Sequence, residues 1–244
     1  MVMKLFLLII CCSVLVSLLA PLVFAHTVCA EEKVILLEDF NDLENWRPLY
    51  FPKIKEHTEY SVQKKTDGNY LKAESNASAS AIVYKKEFNV YDYPKVRWRW
   101  KISNIYRKGN ALIKSGDDYP LRVYIIFKYN PEKASFGQKV KYGLARKLYG
   151  EYPPHSTLNY IWANRKHSKR LLTNTYAKEA KMIILQTGNE KAGTWQEQEV
   201  HILHDYREVF GIDPPATASV AIMNDSDNTG EHSFSYVDYI GVYK

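Results

Sequence analysis

The chain has 244 residues, and its net charge of +6 is spread over 33 basic and 27 acidic side chains. So mild a balance excludes a protein that works by charge alone, such as a highly basic nucleic-acid binder. All three cysteines (Cys11, Cys12, Cys29) lie in the first 30 residues, so cleavage after Ala30 leaves no disulfide framework, thiol nucleophile or cysteine metal site.

The amino terminus opens with one positive charge, Lys4. An apolar run from Leu5 to Leu19 follows, closed by Pro21, with small residues at cleavage spacing before Ala25 and Ala30. A charged head, an apolar middle and a small-x-small end predict a signal peptide over 1–30 and export of 31–244 to the periplasm or medium. The competing reading is a retained membrane anchor, since the run is about long enough to span a bilayer. Pro21 and the cleavage-type residues favour removal, which leaves no stable membrane span.

Beyond the leader, short apolar runs alternate with turn residues. Strands are expected at Val34–Glu38, then at Glu59–Lys64 and Tyr70–Glu74 around the hairpin signal Thr66-Asp67-Gly68-Asn69. Further runs are Ala81–Phe88, Lys95–Ile102, Leu121–Tyr129, Leu158–Ala163, Lys181–Thr187, Gln196–Leu203, Ala218–Asn224 and Phe234–Tyr243. This pattern predicts a single all-β sandwich domain over 31–244 with one or two short helices. One helix is expected where Val140, Leu144 and Leu148 recur at four-residue spacing, and a second at Asp205–Phe210, stopped by Gly211 and Pro214.

Alternation assigns the faces. In Arg97-Trp98-Arg99-Trp100-Lys101, period two puts both tryptophans on one face and three cations on the other. In Leu121–Phe127, Val123, Ile125 and Phe127 share a face, opposite Arg122 and Tyr124. A polar strip of Arg97, Arg99, Lys101, Arg122 and Tyr124 across one sheet is therefore expected. Asp117-Asp118 enters a strong strand and Asp225-x-Asp227-Asn228 leaves another, so both acid pairs belong to loops where ligands are met. Turn chemistry, calcium coordination and paired-carboxylate catalysis all fit these acids. The candidate ligand-binding residues are Asp118, Arg122, Tyr124, Asp225, Asp227 and Arg99. His201-x-x-His204-Asp205 would hold a metal only across a turn, because positions three apart on a strand face opposite ways. Signatures of nucleophilic hydrolases and phosphate-binding glycine loops are absent.

Several phrases together exceed a generic sandwich. They are Trp46-Arg47-Pro48-Leu49 with Phe51-Pro52-Lys53-Ile54, Lys72-Ala73-Glu74-Ser75, Arg97-Trp98-Arg99-Trp100-Lys101, Gly116-Asp117-Asp118-Tyr119-Pro120, Leu158–Asn164 and Met223–Thr229. The series resembles an exported bacterial family, domain of unknown function 3047. That resemblance implies export and supplies no catalytic residues. Asn174-Thr175-Tyr176 departs from it where a central proline is expected. The opening Glu38-Asp39-Phe40 with Trp46, and the closing Tyr236–Ile240, resemble the end strands of jelly-roll carbohydrate-binding and galactose-binding-like modules. That looser resemblance implies a structural calcium held by Glu38, Asp39 and Asp238, against the plainer reading that these acids cap turns. The function expected is binding of a polysaccharide or other glycan-like ligand, with no nucleic-acid partner. A glycan hydrolase or lyase, and a structural subunit of an envelope complex, are the alternatives.

Overall fold

The computed structural model describes residues 33–66, 68–132, 134–137, 139, 142–143 and 152–244. The leader and the periodic positions Val140, Leu144 and Leu148 lie outside the described residues. Two sheets face each other as a jelly-roll-like sandwich. Sheet A contains β1 (Val34–Glu38), β3 (Glu59–Gln63), β4 (Tyr70–Asn76), β7 (Lys95–Ile102), β12 (Gln196–His201) and β14 (His232–Tyr243). Its order is β12-β7-β14-β4-β3, with β1 also pairing β14. Sheet B contains β2 (Trp46–Leu49), β5 (Ala79–Tyr84), β6 (Phe88–Asn89), β8 (Tyr119–Phe127), β9 (Ser156–Ala163), β10 (Leu171–Thr173), β11 (Ala180–Thr187) and β13 (Thr217–Asp225). Its order is β10-β11-β9-β8-β13-β5-β2, with β6 pairing β13. Pairing is antiparallel except between β9 and β11.

The helix α1 (Ile202–Phe210) follows β12 directly. His201 caps it, its Nδ1 accepting the His204 N–H at 3.3 Å, and Gly211 ends it in the left-handed conformation at φ 70°. Among the described residues no helix is long and apolar enough to cross a membrane.

The alternation on β7 is realised residue by residue. Trp98 and Trp100 are fully buried between the sheets, while Arg97, Arg99 and Lys101 are half-exposed on the outer face. Trp98 meets Tyr160 at 5.5 Å and Trp100 meets Trp162 at 5.8 Å, so aromatic rings join β7 to β9 across the core. Two irregularities re-aim side chains. The register of β14 shifts between Val237 and Tyr239, which turns Asp238 toward the outer face. The register between β8 and β13 shifts beside Pro120, which moves Tyr119 out of the inter-sheet core to the face of sheet B that carries Arg122.

Candidate functional site

The two expected acid loops do meet, at the end of the sandwich where β8 begins and β13 ends. Asp225 lies opposite Tyr119 in the ladder. Arg122 grips it, the guanidinium Nε donating to Oδ1 at 2.9 Å and a second N–H bonding Oδ2. Asp118 accepts the backbone N–H of Thr229 at 2.6 Å and of Asn228 at 3.3 Å. Carboxylate oxygens of Asp118, Asp225 and Asp227 lie within 4.8 Å of one another. Around them Asn164 donates to the Asp118 carbonyl at 2.6 Å, and Asn174 to Asp117 at 2.7 Å. The loop that departs from the family pattern is thus tied in, and Tyr176 completes it by donating to Asn228 at 2.7 Å.

Burial decides what this cluster presents to a ligand. Asp118 is 0% exposed, Asp225 2% and Arg122 4%. Both carboxylates and the Nε and Nη2 donors of Arg122 are bonded inside the protein, so they form an internal network that joins three loops. Tyr124 is half-buried, and its hydroxyl faces the Met223 sulfur at 3.4 Å. Asp227 alone of the three acids is half-open. Burial first, and repulsion from Asp118 second, push its carboxyl above the usual range.

Asp39 and Asp238, two of the expected calcium ligands, line one surface cleft, but among the described residues Glu38, Asp39 and Asp238 do not converge as a three-carboxylate group. Glu38 accepts the Phe40 N–H at 2.8 Å and the Trp46 indole at 3.2 Å, which makes it an internal cap. Burial raises its pKa. Asp39 accepts from Asn41 at 2.7 Å, and Asp238 bonds Arg99 at 3.1 Å. Each acid is spent on a different neighbour. His204 does approach Asp205 and Glu208, now along a helix. There Glu208 is paired with Arg170, and Asp205 accepts from Tyr160.

The single polar strip is also corrected. Arg97, Arg99 and Lys101 lie on β7 of sheet A, whereas Arg122 and Tyr124 lie on β8 of sheet B, so the core separates them. On sheet A, Arg97 pairs with Glu199 and Arg99 with Asp238.

An open cleft of about 710 Å³ lies between the free edges of the sandwich, where β2 ends sheet B and β3 ends sheet A. The crossover between these strands carries Tyr50, 55% exposed, whose ring stacks on His57 at 4.2 Å. Arg47 projects from β2 and Glu59 from β3, both exposed. Among the described residues neither has an ion-pair partner. The floor is ordered: the Tyr60 hydroxyl donates to the Ser80 carbonyl at 2.7 Å, and Thr58 to that of Asn224 at 2.6 Å.

A family model described as "Protein of unknown function (DUF3047)" matches residues 44–241. The chain belongs to the DUF3047 family. No curated protein matches the sequence. Among solved structures, the chain is similar to the family 11 carbohydrate-binding module of cellulosomal cellulase Lic26A-Cel5E of Clostridium thermocellum. That similarity has a TM-score of 0.44 and 12% identity, and covers 86% of this chain and 93% of that one. It is also similar to CBM27-1 of Caldicellulosiruptor saccharolyticus in complex with mannohexaose (TM-score 0.37, 10% identity, 85% and 95% covered). A third is a Lotus tetragonolobus seed lectin (0.40, 10%, 86% and 98%).

The DUF3047 match begins two residues before Trp46 and so takes in every residue lining the cleft except Leu43. Period-two reasoning passes over Arg47, Tyr50 and His57, because Pro48 and Pro52 interrupt any alternation there; Glu59 opens an expected strand, but nothing in that strand points to the cleft. The available signal was an aromatic pair, Tyr50-Phe51, placed between prolines and ahead of a histidine.

Proposed function

We propose that this DUF3047 protein is an exported module that binds a glycan-like ligand in the cleft between the β2 and β3 edges. One observation carries the reading: an exposed aromatic face, Tyr50 backed by His57, stands in an open cleft beside the uncommitted side chains of Arg47 and Glu59. A pyranose ring has an apolar CH face and a rim of hydroxyls. Tyr50 offers the flat apolar partner, Arg47 supplies donors and Glu59 supplies acceptors. The cleft volume falls in the range of ligand sites, about 300–1,000 Å³. Export is supported by the charged, apolar and small-residue succession of residues 1–30.

A glycan array probed with the full chain, alongside Tyr50→Ala and Arg47→Ala, tests the binding reading. Tyr50 and Arg47 are exposed, so both variants should melt near wild type. Each should bind the selected glycan about tenfold or more weakly, the cost of a lost aromatic or charged contact. Variants that bind as well as wild type would remove the cleft from consideration.

A further inference from the structure

The outer face of sheet A carries a second arrangement that the cleft does not use. Trp195, Tyr70 and Tyr236 are each half-exposed and stand edge to face. Centroid separations are 5.7 Å for Tyr70–Trp195, 5.7 Å for Tyr70–Tyr236 and 6.5 Å for Trp195–Tyr236. Into the box they form projects Lys101. Its ammonium is 4.6 Å from the Trp195 ring centre, 4.7 Å from Tyr236 and 6.0 Å from Tyr70.

Lys101 differs from its neighbours on β7. Arg97 has Glu199 and Arg99 has Asp238, but Lys101 has no carboxylate within ion-pair distance among the described residues. The rings hold and orient the ammonium without neutralising it. Arg99 lies 5.2 Å over the same Trp195, and its fork is pinned by Asp238. Lys65 stands over the outer Tyr70 ring at 5.0 Å, so Lys101 is the oriented, unneutralised cation on the Trp195–Tyr236 side of the box, complementary to a negative group on an apolar-faced ring.

We propose that this face is a binding site for a carboxylate-bearing sugar, a uronate residue of an acidic polysaccharide. Lys101 takes the carboxylate, and Trp195 and Tyr236 pack against the pyranose. A single-stranded nucleic acid also presents rings and negative charge. It carries a charge on every nucleotide, however, and the strand cations around Lys101 are already committed, Arg97 to Glu199, Arg99 to Asp238 and Lys72 to Glu74. The site is separate from the Tyr50 cleft and stands independently of it.

The test is calorimetric titration of the full chain with a galacturonate oligosaccharide, a neutral glucan oligosaccharide, a sulfated dextran and a thymidine oligonucleotide. Wild type, Lys101→Met, Trp195→Ala and Tyr50→Ala are compared. Lys101→Met keeps the length and apolar stem, and melting of each variant is recorded as a folding control. The expected result is galacturonate binding that falls about ten- to a hundredfold in Lys101→Met and in Trp195→Ala, the scale of a lost charge-assisted bond. Tyr50→Ala should retain it. Galacturonate binding lost in Tyr50→Ala but kept in Lys101→Met would move the ligand to the cleft, overturning this site while leaving the cleft reading intact. No galacturonate binding by wild type also overturns it. So does sulfated dextran or oligonucleotide binding as tight as galacturonate, because charge alone would then suffice.

Discussion

Arg122→Met replaces the one cation of the internal network with a side chain that fills the same stem volume. Among the described residues Arg122 is the only basic group bonded to Asp225, and Asp118 and Asp227 stand within 4.8 Å of that carboxylate. With the guanidinium gone, Asp225 is a buried charge beside two others. Losing one partner of a buried pair costs about 3–5 kcal/mol, mainly because the survivor has no water and no counter-charge. For a domain of this size each kcal/mol moves Tm by about 2–4 °C, so a fall of roughly 10 °C is expected. Thermal melting followed by circular dichroism measures it, with urea unfolding to check that m is unchanged. The double variant Arg122→Met/Asp225→Asn removes the stranded charge while keeping an acceptor for the Tyr119 N–H, which now reaches Asp225 at 3.2 Å. It should recover most of the loss. An Arg122→Met protein that melts within about 2 °C of wild type would show that these charges are solvated, and would refute the reasoning.

Asp227 titrates above its ordinary 3.8 in the folded protein, so the fold favours its neutral form. That contribution to stability is full below 3.8 and is lost as pH rises through the higher folded value. Asp227→Asn should therefore raise Tm at pH 7, and the gain should vanish in melts below pH 3.8; a variant no more stable than wild type at pH 7 contradicts this. Gly109→Ala should lower Tm sharply, because its Cβ would sit 2.0 Å from the Asn164 amide that bonds Tyr106 and Asp118. Unchanged melting would mean the loop has room to shift. Because Glu38, Asp39 and Asp238 each serve separate partners, melting should be the same in chelator and in calcium. A calcium-dependent rise abolished by Glu38→Gln would restore the shared site.

The fold was legible wherever alternation is strict. β7 carries its inward tryptophans and outward cations as its period dictates, and the hairpin from β3 to β4 follows its turn residues. The helix α1 was foreseen only from Asp205, because Val200 and Ile202 on either side of His201 keep the two-residue spacing of a strand past the end of β12. Proximity of Asp118, Arg122 and Asp225 followed from their places at strand ends. Their burial did not, because that depends on loops from distant parts of the chain, Asn164 and Asn174 among them, closing over them. The bulge at Asp238 was equally hidden: only the ladder shows that it faces Arg99 rather than Glu38. The cleft escaped because, although β3 was expected as a strand, the β2 edge and the proline-rich crossover that complete it have no period to detect.

The central claim is that ligand enters the cleft between the β2 and β3 edges. Carbon-labelled histidine read by NMR tests it most directly, because the His57 ring forms the back of the Tyr50 stack. With the glycan selected by the array titrated into the full chain, the His57 ring resonances should shift and saturate with the binding isotherm. Those of His204 on α1 and His232 at the start of β14 should stay in place. Saturable binding with the His57 signals unmoved would contradict the account.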